Sequence, residues 1–125
     1  MPNHTIDYFR AKLEAYASPS KIQQWIAETR DDFILVDVRN DNPHLTTRIP
    51  GAMILPEREI KQRHQELPLD KLLVLYGWDS WCSLATSAAV PLLEKGYRVK
   101  ELSGGIKAWQ TLGLPEESAR KRDAP

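Results

Sequence analysis

Hydrophobic and polar positions along this chain follow two rhythms. Four short apolar runs read as strands: Phe33–Val38, Ala52–Leu55, Leu72–Tyr76 and Tyr97–Leu102, the last with Val99 and Leu102 as its clearest apolar positions. The runs at 33–38 and 72–76 are apolar almost throughout, the pattern of strands covered on both faces. Elsewhere apolar residues recur at helical spacing. Thr5 is placed to cap a helix carrying Ile6, Phe9, Leu13 and Tyr16 on one face. Ser18-Pro19-Ser20 stops that helix and opens a second, which groups Ile22, Trp25 and Ile26 and ends near Arg30. Both read as packing and covering structure. Glu57–Gln65 is a short, strongly charged helix with a solvated face. Leu84, Ala85, Ala88, Ala89, Leu92 and Leu93 line one side of a further helix that Gly96 ends. Pro91 inside it costs roughly 3 kcal/mol and predicts a kink or an irregular start. Ile106, Trp109, Gln110 and Leu112 form the inner side of the last helix, closed by Gly113-Leu114-Pro115.

Strands that alternate with helices imply an α/β domain. The expected fold is a central, mostly parallel sheet of four to five strands, with right-handed crossovers and helices on both faces. Residues 1–17 form an N-terminal helical extension, 18–115 a single domain, and 116–125 a charged tail expected to be disordered. No internal repeat or linker divides the chain.

The stretch 71–97 organises the rest. A buried strand, Leu72–Tyr76, gives way to a tight loop, Gly77 to Trp81, and then to a helix, with Cys82 at the junction. A helix start has unpaired N–H groups and partial positive charge, which favours an anion. A thiolate placed there gains nucleophile character. The alternative reading is inert packing, since a lone cysteine is among the most buried residue types. Asp37 interrupts the strand at 33–38 near its carboxyl end, the end that faces the ligand crevice in open α/β sheets. Asp37 and Arg39 flank Val38 on one side, and the favoured role for both is an ion pair or hydrogen-bond anchor, since buried carboxylates are normally paired. His4, His44 and His64 are isolated and offer no metal-ligand spacing. No metal and no cofactor are expected.

Composition narrows the function classes. The chain has 125 residues, 42% hydrophobic and 27% charged, and 17 basic residues balance 17 acidic ones. That balance gives no basic field for nucleic acid or for an anionic membrane. One cysteine allows no internal disulfide, and no apolar run approaches the roughly 20 residues of a membrane span. The opening MPNHTIDYFR lacks the basic-then-apolar pattern of a leader. A cytoplasmic location is expected.

Together these segments resemble a rhodanese-like domain, of the thiosulfate sulfurtransferase superfamily and its small bacterial single-domain type. Leu35-Val36-Asp37-Val38-Arg39 is similar to the family's strand ending in Asp-Val-Arg. Arg48-Ile49-Pro50-Gly51-Ala52 resembles its His-Ile-Pro-Gly-Ala signature, with Arg48 in place of histidine. Leu102-Ser103-Gly104-Gly105-Ile106, Trp109 and Gly113-Leu114-Pro115 resemble its closing pattern. The resemblance implies a cysteine that takes a sulfane sulfur from a small anionic donor such as thiosulfate, becomes a persulfide, and passes the sulfur to a thiol or to cyanide. It implies that loop amides and the following helix steady that sulfur without a metal.

The chain also departs from the family in the loop. In most active members the cysteine directly follows the strand, at the position held here by Gly77, and Cys82 lies five residues later. Cys82 is therefore the candidate catalytic residue, with Gly77, Trp78, Asp79, Ser80, Trp81 and Ser83 as the substrate-binding loop. The amides of 77–83 would form an anion cradle, helped by the hydroxyls of Ser80, Ser83 and Thr86. Asp37 and Arg39 would brace the loop. Trp78 and Trp81 would wall a pocket or cover the core edge, with core packing favoured for at least one. The alternative is a catalytically silent binding or regulatory module, supported by Gly77. The related phosphatases need Cys-x-x-x-x-x-Arg, but the sixth residue after Cys82 is Ala88 and no arginine occurs between His64 and Gly96.

Overall fold

A computed structural model describes residues 3–119. The elements run α1 (His4–Ala15), β1 (Tyr16–Ala17), α2 (Pro19–Ala27), β2 (Phe33–Asp37), β3 (Thr47–Arg48), β4 (Met53–Ile54), α3 (Ile60–Arg63, with a 3₁₀ turn on either side), β5 (Leu72–Tyr76), α4 (Leu84–Glu94), β6 (Arg98–Leu102), α5 (Gly105–Thr111) and β7 (Glu117–Ser118). β1, β6, β5, β2 and β4 form, in that order, one parallel sheet.

The period-two alternation of the strands divides the core between the two sheet faces. Val36 on β2 and Leu73 and Leu75 on β5 pack with Ile60, Ala85, Ala88 and Leu92 beneath α3 and α4. Phe33, Leu35, Val74 and Tyr76 point the other way, onto Ile22, Ile106 and Trp109 of α2 and α5. Helices therefore cover both faces, as expected. β2 and β5 are in register from Phe33↔Leu72 to Asp37↔Tyr76, which sets Asp37 beside Tyr76 at the carboxyl ends.

Several expectations need correction. Asn3, not Thr5, caps α1, through Oδ1 to the Ile6 amide. The apolar stripe of α1 does not cover a core: Ile6, Phe9 and Leu13 are exposed, Leu13 by 79%. Tyr16 leaves the helix to begin the edge strand β1. Leu93 and Leu112 are more than half exposed, and Gln110 is turned to the surface, where it donates to Glu116. Pro91 does fall inside α4, as expected. The tail also starts ordered: Glu117–Ser118 pairs antiparallel with Thr47–Arg48, and Glu116 accepts hydrogen bonds from Thr47 and Gln110. The remainder of that tail, 120–125, lies outside the described residues.

Candidate active site at the Cys82 loop

Residues 77–83 cross the carboxyl ends of the parallel strands, between β5 and α4. The loop is held from below by its own carbonyls. Ile106 N–H donates to the Gly77 carbonyl at 3.0 Å and Lys107 N–H to the Trp78 carbonyl at 2.9 Å, so the first turn of α5 grips the start of the loop. Only glycine at 105 permits this. Its φ is +61°, and a Cβ there would meet the Gly77 oxygen at 2.7 Å and the Trp78 carbonyl carbon at 2.9 Å. The two adjacent glycines after β6 signalled close backbone approach. Their partner was not readable.

Cys82 is half-buried and its thiol is free. Its position follows from a turn built on Asp79. The Asp79 carbonyl accepts from Cys82 N–H at 3.2 Å, and its carboxylate Oδ1 accepts from Trp81 N–H at 3.0 Å. The turn folds Cys82 back over the loop's start. An ideal Cβ on Gly77 would lie 2.8 Å from Cys82 Sγ and 3.7 Å from Cys82 Cβ. The sulfur thus sits where a side chain at 77 would begin. Leu84 N–H, the first amide of α4, approaches Sγ at 3.5 Å.

The expected cradle of loop amides is only partly realised. The Trp81 and Cys82 amides are committed to Asp79, whose carboxylate brings negative charge into the loop. Thr86 is no helper, because its hydroxyl donates to Glu101 at 3.1 Å. Ser80 and Ser83 are exposed, and Ser83 precedes α4 without a side-chain cap. The two tryptophans part company. Trp78 packs against the core, and Trp81 is 89% exposed. Trp81, Asp79 and Ser80 line a groove of about 460 Å³ shared with Ser103 and Lys107.

Asp37 and Arg39 come together as the pattern at 37–39 suggested. Arg39 Nε donates to Asp37 Oδ1 at 2.9 Å and Nη2 to Oδ2 at 2.8 Å, with both side chains 1% exposed. Burial works against the Arg39 charge, but the hydrogen bonds and the charge of Asp37 outweigh it and hold the guanidinium above its ordinary pKa. Tyr76 OH donates to Asp37 Oδ2 and accepts from the Ile49 amide. Burial, and then the Asp37 charge, push that phenol well above its usual range. The Arg39 guanidinium also lies over the Trp78 ring, 4.7 Å from its centroid. A buried ion pair is thus joined to the loop through one aromatic ring.

The class defined so far is a parallel α/β domain carrying one thiol on a strand–loop–helix junction beyond its strand ends. Comparison with known proteins supplies the family. Residues 18–112 match the rhodanese-like domain. A sulfurtransferase of Allochromatium vinosum is 37% identical over 95 residues, covering 75% of this chain and 86% of that protein. The HTH-type transcriptional regulator Rv0324 of Mycobacterium tuberculosis is 36% identical over 81 residues, 65% of this chain; this chain spans only 36% of that protein's length. The crystal structure of a full-length protein from Lactobacillus plantarum superposes with a TM-score of 0.88 at 26% identity, covering 94% of this chain and 99% of the other. The chain belongs to the rhodanese-like domain family, and its relatives support a role within the sulfurtransferases. No helix among the described residues is long and apolar enough to cross a membrane.

Proposed function

We propose that this domain moves a sulfane sulfur from a thiosulfate-like donor to a thiol or cyanide, with Cys82 as nucleophile and persulfide carrier. One observation carries the reading. The Cys82 sulfur lies 2.8 Å from the point where a Gly77 side chain would begin, and position 77 is where the resemblance puts the family's nucleophile. The thiol approaches the usual place from the far end of the loop.

The chemistry then needs no change. The Cys82 thiolate attacks the outer sulfur of thiosulfate. A new S–S bond forms, the donor's S–S bond breaks, and sulfite leaves with that bond's electron pair. Cyanide or a thiolate next attacks the outer sulfur of the persulfide, and the Cys82 thiolate is the leaving group. Negative charge sits on Cys82 Sγ before the first step and after the second, and the Leu84 amide at the start of α4 stabilises it there. Gly77, Trp78, Asp79, Ser80, Trp81 and Ser83 form the donor-binding loop. Asp37 and Arg39 are positioning residues that act through Trp78. A single thiol that must stay reduced suits the cytoplasm.

The test is direct. The protein is incubated with thiosulfate and weighed intact, then assayed for thiocyanate with cyanide. The expected result is one added sulfur, absent in Cys82→Ser, with cyanide-dependent turnover. No adduct and no thiocyanate would leave a silent rhodanese module.

A further inference from the structure

A second cavity, of about 390 Å³, opens beyond the carboxyl ends of β2 and β4. Four arginines line it, Arg39, Arg48, Arg58 and Arg63, with Asp41 and Glu59 the acidic groups among its lining residues. Two of the arginines are already neutralised. Arg39 is paired with Asp37, and Arg63 bonds Glu59 and Glu66, each at 2.8 Å. Among the described residues, Arg48 and Arg58 form no ion pair. Asp41 is exposed.

Arg48 is the informative one. Only 6% of it is exposed, and its Nε is sealed with no hydrogen-bond partner. The pairing of β3 with β7 fixes its backbone in that place. Leu45, Ile54 and Pro56 give the cavity an apolar side. A buried cation without a counter-ion is strongly unfavourable, and burial of arginine is ordinarily accompanied by a carboxylate or phosphate. A guanidinium presents a planar fork of donors that matches an oxyanion in bidentate fashion.

We infer that this cavity is a binding site for a dianionic oxyanion, a phosphate or sulfate group, held by Arg48 and Arg58 and distinct from the Cys82 loop. The crevice beyond parallel strand ends is where open α/β sheets take ligands. The inference does not rest on Cys82 chemistry.

The experiment uses the full chain and inorganic phosphate, with sulfate in parallel and acetate as the singly charged comparison, at constant ionic strength. Arginine Nε–H and backbone amide resonances are followed by NMR. The expected result is saturable shifts at Arg48 Nε–H and at the amides of residues 39–41 and 57–59. Acetate should give much weaker shifts. Arg48→Gln and Arg58→Gln should each weaken binding at least about tenfold, the latter at an exposed position that leaves the fold intact. Cys82→Ser should bind phosphate like the unaltered chain. Non-saturating shifts, or saturation unchanged in Arg58→Gln, would overturn the proposal. Loss of phosphate binding in Cys82→Ser would overturn the separation of the two sites.

Discussion

Adding one methyl group at position 77 separates the stability of the fold from the placement of the thiol. In Gly77→Ala the new Cβ would stand 2.8 Å from Cys82 Sγ, well inside the 3.4–4 Å of ordinary contact. The clash falls on the free end of a side chain, so it is relieved by rotating Cys82 about χ1. An off-rotamer or altered χ costs about 0.5–1.5 kcal/mol. Gly77 has no left-handed φ, so alanine fits its backbone and recovers about 0.4–1 kcal/mol through a less flexible unfolded chain. The two effects nearly cancel, and stability should stay within about 1 kcal/mol of the unaltered protein. The sulfur, however, must leave both the gap and the Leu84 amide. Misplacing a reacting atom by about 1 Å can cost a factor of about 10².

Two assays read the two halves. Urea unfolding gives the midpoint and slope, both expected to be nearly unchanged. Loading from thiosulfate, followed by intact mass, is expected to fall between about tenfold and a hundredfold. Loading within twofold of the unaltered protein would show that the gap beside Gly77 has no bearing on the thiol's chemistry. A loss of stability above about 2 kcal/mol would show that the overlap is not relieved by side-chain rotation, and the argument would fail at its first step.

Further outcomes follow from the same geometry. Gly77→Cys should close a disulfide with Cys82 on mild oxidation, because the Cβ–Cβ separation of 3.7 Å falls within the usual range for such bonds; non-reducing mass spectrometry would show the loss of two hydrogens, and two persistent free thiols would contradict it. Gly105→Ala should cost about 2–4 kcal/mol in urea unfolding, since φ is +61° and the new Cβ meets fixed backbone at 2.7 Å; a change below about 0.5 kcal/mol would refute the gripping role of α5. Arg39→Ala leaves Asp37 buried without its partner and should cost about 3–5 kcal/mol, with Arg39→Lys recovering only part. Burial raises the Glu101 pKa, so the native state is penalised as pH rises through that raised value and is free of the penalty below the unfolded-state value. Glu101→Gln should therefore melt higher near neutral pH, by less than about 1 kcal/mol for a half-exposed group, with the difference vanishing near pH 4; an advantage that grew on acidification would reverse the sign.

The parallel sheet was legible because its central strands carry unbroken apolar runs. Leu72–Tyr76 and Phe33–Asp37 have no other way to satisfy both faces. Asp37 and Arg39 were legible as a pair because two residues along a strand face the same way. The short pairings were not. Thr47–Arg48 and Glu117–Ser118 are two residues each, and they meet across 70 positions of chain, where local pattern carries no information. Tyr16 fitted the helical stripe of α1 and yet begins β1, since one residue more or less at a helix end leaves periodicity unchanged. The stripe itself was real. Its burial was not, because spacing shows that a face is apolar and not that the chain supplies its cover. The approach of Cys82 to Gly77 depends on the turn at Asp79, and a carboxylate accepting from an amide two residues on has no signature beyond an Asp in a loop.

That hidden turn also brings the thiol beside a position 77 that carries no side chain. The loop is not held by the side chain at 77. It is held by the Gly77 and Trp78 carbonyls on the first turn of α5, and by the Trp78 ring beneath Arg39. Neither contact depends on what residue 77 carries, and the absence of a side chain there is what lets Sγ come within 2.8 Å of its Cβ position. Cys82 thus reaches the start of a residue-77 side chain from the far end of the same turn.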